Sequence, residues 1–111
     1  MKFDVTEKDD ATIFTIKERK IDASISSELK AEFLLLGKPK SKKKLIVDLT
    51  KVDFCDSTGL SALLIAERAM REHGGSIHLV KVHKKIIDLL KLSQLDRIFN
   101  FNKTIAEALK K

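Results

Sequence analysis

The chain has 111 residues, enough for one domain with a single sizeable core. Hydrophobic residues make up 43% and charged residues 34%, a globular balance, while aromatics at 5% with no Trp or Tyr argue against a stacking platform for single-stranded nucleic acid. The formal charge of +6 comes largely from Lys38, Lys40, Lys42, Lys43 and Lys44 around Pro39, with Lys81, Lys84 and Lys85 further on; such a run can mark nucleic acid or acidic lipid, but a solvated loop ahead of a buried strand is the favoured reading.

In chain order, Lys2-Phe3-Asp4-Val5-Thr6 alternates and predicts a half-buried strand. Glu7 to Asp10 is a turn, and Ala11 to Lys17 is a second strand rich in β-branched residues, so the two form a hairpin. Glu18 to Asp22 leads out of it. Ile25, Leu29, Phe33 and Leu36 then recur at helical spacing, with Ser24 or Ser26 as candidate cap, Gly37 at the stop and Pro39 preventing resumption. Leu45 to Leu49 reads as a strand buried on both faces, as in a parallel sheet.

After Asp56-Ser57-Thr58-Gly59, the residues Leu60, Leu63, Leu64 and Met70 predict a helix ending at Gly74-Gly75. Ser76 to Val80 is another strand, and Ile86, Ile87, Leu89 and Leu90 mark a short helix through Leu92. Arg97 to Phe101 is a candidate edge strand, and Asn102 a candidate cap for a last helix carrying Ile105, Ala108 and Leu109. Strands alternating with helices over short connections imply right-handed βαβ units and a mixed sheet.

The Asp-Ser-Thr-Gly turn is the most informative stretch, because it lies between a buried strand and a buried helix. It offers the Ser57 hydroxyl at the positive end of a helix, where free backbone N–H groups favour an anion such as a phosphate. An ordinary N-cap at Ser57-Thr58, with Gly59 for close packing, is the competing reading of the turn taken by itself.

Enzymatic readings lack partners. Ser57 is not in a Gly-x-Ser-x-Gly elbow, and His73, His78 and His83 fall at a helix end, in a strand and in a loop, where surface or half-buried side chains are expected. Their spacing matches no strong zinc motif, and no Gly-x-x-x-x-Gly-Lys-Ser/Thr or Gly-x-Gly-x-x-Gly is present. No catalytic, cofactor or metal set is therefore assigned. Cys55 is the one cysteine, so no internal disulfide forms and a reducing compartment is expected; beside Asp56 at an apolar strand end it reads as a buried structural thiol. No apolar run is long enough to span a membrane and the start is charged and alternating, which predicts a cytoplasmic protein without membrane insertion.

Taken together these segments resemble a STAS domain of the bacterial anti-sigma factor antagonist type. Lys20-Ile21-Asp22-Ala23 stands where the family has Gly-x-Leu/Ile-Asp, and Leu45 to Leu49 with Val52-Asp53-Phe54 leads into Asp56-Ser57-Thr58-Gly59-Leu60, which is similar to the family signature. Gly74 to Val80 resembles the next strand, and Leu92-Ser93-Gln94-Leu95-Asp96 resembles a leucine–threonine–glycine–leucine–aspartate segment, with Ser93-Gln94 in place of Thr-Gly. The resemblance implies a single STAS-type α/β domain over residues 1–111, with a mixed β-sheet of four to five strands and helices packed mainly on one face.

It also implies a function. Such antagonists bind an anti-sigma factor that is itself a serine kinase, and so free a sigma factor; the kinase phosphorylates the signature serine, here Ser57 in preference to Thr58, and a PP2C-type phosphatase restores it. Asp22 and Asp56 would lie beside Ser57 and, with Thr58 and Gly59, form the partner surface of a monomer that does not contact nucleic acid directly. The alternatives are a STAS subunit docked on the cytoplasmic side of a membrane transporter, and a nucleotide or lipid held in a sheet–helix cleft.

Overall fold

A computed structural model describes residues 2–36 and 43–110. Among them run, in chain order, β1 (Phe3–Lys8), β2 (Ala11–Ile16), β3 (Lys20–Ile21), α1 (Ala23–Leu36), β4 (Lys44–Asp48), β5 (Phe54–Cys55), α2 (Ser57–Glu72), β6 (Ser76–Val80), α3 (Lys84–Leu92), β7 (Asn100–Asn102) and α4 (Ile105–Lys110). Five strands form a mixed sheet in the order β1-β2-β4-β6-β7, with β1 antiparallel to β2 and every other pair parallel. The predicted α/β class and mixed sheet hold.

Strand periodicity sorts the core into two layers. Phe14 and Ile16 of β2, Leu45 and Val47 of β4, and Ile77 and Leu79 of β6 point to one face, where they pack with Ile25, Leu29 and Phe33 of α1, Ala62, Leu63 and Met70 of α2, and Ile86 and Leu90 of α3. The rings of Phe14 and Phe33 meet at 5.0 Å, tilted by 48°. Ala11, Ile46 and Val80 point to the opposite face and meet Ala108 of α4. Helices therefore pack mainly on one face, as expected, and the short α4 covers the other. Lys44 fastens that helix from the sheet, donating from Nζ to the Ala108 and Leu109 carbonyls at 3.0 and 3.1 Å.

Several local expectations are corrected. Neither Ser24 nor Ser26 caps α1: Asp22 does, its Oδ1 accepting from Ser24 N at 3.0 Å and Ser24 Oγ at 2.6 Å. Asn102 does not cap α4. It belongs to β7 and its side chain is spent on His78 and Glu107, while Thr104 Oγ1 accepts from Glu107 N at 3.0 Å in the capping role. The edge strand starts at Asn100, later than the expected Arg97, because a turn continues through Phe99. His78 is only 5% exposed, more buried than expected, with Nδ1 on Asn102 Oδ1 at 2.9 Å and Nε2 against Ser76 Oγ at 3.2 Å. The Gly37 stop, Pro39 and the lysines at 38, 40 and 42 lie outside the described residues.

Helices α2 and α3 end in the same way. After α2, Gly74 takes φ +80°, its N–H bonds Arg71 O at 3.1 Å and Gly75 N bonds Met70 O at 2.7 Å. After α3, Gln94 occupies the corresponding place with φ 59°, its N–H on Lys91 O at 3.0 Å and Leu95 N on Leu90 O at 2.8 Å. A residue with a β-carbon is strained there, which explains why glycine is the ordinary choice. Gln94→Gly is expected to raise stability by about 1 kcal/mol, the relief of strain less the added entropy of an unfolded glycine. The check is a higher urea midpoint at unchanged slope.

Candidate functional site

Two of the shortest elements build the site. β3 and β5 form a separate two-stranded parallel pair, with Lys20 opposite Phe54 and Ile21 opposite Cys55. Asp56 N extends the ladder by donating to Ile21 O at 3.2 Å. The next residue on each strand is an aspartate, Asp22 and Asp56, and each opens a helix. Two helix N-termini are thus set side by side at one end of the molecule, each capped by its own carboxylate.

At α2, Asp56 Oδ1 accepts from Thr58 N and Gly59 N, both at 3.0 Å, and from Thr58 Oγ1 at 2.6 Å. The expected N-cap at Ser57-Thr58 is therefore displaced by one residue, and the amides of Thr58 and Gly59, read from sequence as free for an anion, are already engaged by a side-chain anion. Ser57 is the first helical residue and its side chain is exposed. Thr58 is half-buried with its hydroxyl held by Asp56, and Gly59 is buried against Ile21 and Cys55. Within the turn, Ser57 offers the accessible hydroxyl.

The two carboxylates are strongly anionic. The Thr58 hydroxyl, then the Gly59 amide, hold Asp56 below the usual carboxylate range. The Ser24 hydroxyl and amide do the same for Asp22, opposed in part by the nearby charge of Asp56. A carboxylate whose folded pKa is depressed stabilises above its unfolded pKa and loses that contribution as pH falls through the folded value. Asp56→Ala is accordingly expected to lower the thermal midpoint by about 5 °C at neutral pH. The gap from wild type should begin to shrink in melts taken below about pH 4, where the unfolded carboxylate protonates, and close as pH falls further through the lower native value.

A second set of residues, which the sequence reading did not assign to the site, lies along β3 and β5 just ahead of the two aspartates. Arg19 Nε pairs with Asp53 Oδ2 at 3.1 Å, while Asp53 N and Phe54 N both donate to Arg19 O. Phe54 is 45% exposed, with Lys20 Nζ 5.8 Å from its ring centroid. Strand parity was the available signal, since a buried Cys55 on β5 turns Phe54 outward. Cys55 is buried, as expected, and burial, with the adjacent Asp56 charge, pushes its thiol up to about 12. Of the three histidines, His73 and His78 are engaged far along α2 and β6, by Ala69 O and by Asn102. His83 caps α3 through Lys85 N at 3.1 Å. Among the described residues no group of histidine, cysteine and carboxylates is arranged to hold a metal ion, and no helix is long and apolar enough to cross a membrane.

A family model described as the STAS domain matches residues 2–108. Among solved structures, a candidate anti-sigma factor antagonist from Thermotoga maritima is 27% identical over 97% of this chain and 92% of its own, with a TM-score of 0.82. The anti-sigma factor antagonist SpoIIAA, described as a Bacillus cell fate determinant, shares the fold at 16% identity. Its unphosphorylated form matches at TM-score 0.82 over 97% of this chain and 93% of its own, and its phosphorylated form at 0.76 over 97% and 96%. A segment of the murine anion transporter solute carrier 26 member A9 also shares the fold, at 18% identity and TM-score 0.79, over 95% of this chain but 18% of the transporter.

Proposed function

Because this chain belongs to the STAS domain family, we propose that it works as an anti-sigma factor antagonist-like regulator, with residues 1–111 acting as one domain. In this reading the unphosphorylated protein binds an anti-sigma factor that is also a serine kinase and so releases a sigma factor. Transfer of phosphate to Ser57, with Thr58 the lesser candidate, ends that binding, and a PP2C-type phosphatase resets it. Asp22, Asp56 and Ser57 form the contact surface with Thr58, while Gly59 serves from beneath by letting α2 approach β3. The protein acts by docking and carries no catalytic set of its own.

The observation that carries this reading is the exposed Ser57 on the first turn of α2, next in the chain to the anionic cap Asp56, whose charge Asp22 senses. The Thermotoga maritima relative supports the antagonist class. The test is a pull-down from native cell extract, wild type against Ser57→Asp. Retention of a soluble ATP-binding kinase by wild type, and its loss with Ser57→Asp, is the expected result. Equal retention by both would overturn it.

A second reading, a subunit docked on the cytoplasmic side of a membrane transporter, is favoured by the shared fold of the solute carrier segment. The same pull-down separates the two, because that reading requires an integral membrane permease in the detergent-solubilised fraction and indifference to Ser57→Asp.

A further inference from the structure

The carboxyl ends of β6 and β7 carry an arrangement that the switch turn does not use. Val80 pairs with Asn102 on the last rung of their parallel ladder, and Lys81 N donates to Asn102 O at 3.4 Å. The next residue on each strand is a lysine, so Lys81 and Lys103 leave the sheet as neighbours. Like charges set opposite each other across strands repel, and among the described residues neither lysine enters an ion pair. Lys81 also holds φ 55°, a left-handed conformation disfavoured for any residue with a β-carbon. Repulsion and backbone strain on the same residue are what a ligand-holding position tolerates.

These two lysines help line a cleft of about 430 Å³ whose apolar lining is Val82, Ile87 and the 36%-exposed Phe101. It lies between α3, packed on one face of the sheet, and α4, packed on the other. The carboxyl ends of parallel strands are the usual place for a ligand crevice, and this volume suits a small molecule. Glu107 stands on the wall, but its Oε1 accepts from Asn102 Nδ2 at 3.1 Å and Lys103 N at 3.4 Å.

We propose that this cleft binds a small aliphatic carboxylate. The carboxylate sits between Lys81 and Lys103, and the hydrocarbon body lies on Val82, Ile87 and Phe101. An inorganic anion would leave the apolar floor wet, and a neutral hydrocarbon would leave both lysines without an ion pair. A flat lipid surface would meet the lysines but would not enter the concave floor. The site is separate from Ser57 and does not depend on its phosphorylation.

Octanoate, octanol and acetate titrated into the isotope-labelled full chain test it by NMR. Octanoate is expected to give saturable shifts confined to residues 81–87 and 101–107, with a Kd below about 1 mM. The double variant Lys81→Gln, Lys103→Gln should weaken it about tenfold or more, and Phe101→Ala at an exposed ring should weaken it without altering distant signals. Lys81→Gly removes the backbone strain together with the charge, so it should melt at a higher temperature yet bind octanoate more weakly, a split that a purely structural lysine would not produce. Octanol or acetate binding as tightly as octanoate, or no saturable shift up to about 10 mM octanoate, would overturn the proposal. So would lysine-dependent pelleting with phosphatidylglycerol vesicles in the absence of octanoate binding, which would assign the face to a lipid surface.

Discussion

Gly59→Ala is expected to cost about 3 kcal/mol of folding stability, measured as a loss of urea midpoint at constant slope. A β-carbon at Gly59 would lie 2.4 Å from the Ile21 carbonyl oxygen, 2.7 Å from Cys55 Sγ and 2.8 Å from Ile21 Cγ2. The first of these is backbone and cannot rotate away. The start of α2 would have to retreat from β3, and the same Ile21 carbonyl accepts the Asp56 N–H at 3.2 Å. Retreat therefore stretches the bond that holds Asp56 next to Asp22. In a domain whose total stability is of order 5–15 kcal/mol, such a loss is large from one methyl group. Adding Cys55→Ala should recover only part of it, because the sulfur is removed and the carbonyl stays. Full recovery in the double variant would show that side-chain crowding, and not the helix–strand approach, sets the demand for glycine.

That close approach also explains what could and could not be read from the sequence. The buried run Leu45 to Leu49 and the apolar stripe Ile25, Leu29, Phe33 carry their periods openly, and β4 and α1 formed where they indicate. β3 and β5 are two residues each, too short for any period to register, yet they decide which residue leaves the strand and so which residue caps the helix. With that pairing hidden, Ser24, Ser26 and Ser57 looked like natural caps, and the aspartates one or more places earlier took the role. Asn102 was misjudged for a related reason. Its side chain is drawn to His78, a partner 24 residues away in sequence, which leaves Thr104 to start α4. Turn chemistry pointed to Ser57, and the tertiary pairing of β3 with β5 determined which carboxylates cap the neighbouring helices.

Phosphorylation of Ser57 is expected to lower affinity for the cognate kinase-type partner by about 10³-fold or more while leaving the fold intact. Phosphate brings about −1.5 to −2 charges to a turn already holding two carboxylates depressed well into the anionic form. A bare helix N-terminus would welcome that charge through its free amides. Here Asp56 Oδ1 already occupies the amides of Thr58 and Gly59, so the phosphate is left facing outward, toward whatever docks. One like-charge contact at 4 Å costs about 1 kcal/mol in water and about 4 kcal/mol at an effective dielectric near 20, the setting of a closed interface. Moving a complex from 99:1 bound to 1:99 takes about 5.5 kcal/mol, so two or three such contacts suffice without refolding. Shifts in backbone NMR signals should stay near residues 54–62, and the thermal midpoint should move little. Ser57→Asp should weaken binding less than phosphate does, since it carries one charge on a shorter arm, and Ser57→Ala should bind the partner whether or not ATP is present to phosphorylate it. If a purified partner held phosphorylated and unmodified protein with equal affinity, charge at this turn could not be the switch. The exposed Ser57 next to Asp56 would then have to be explained by the shape of the surface it completes.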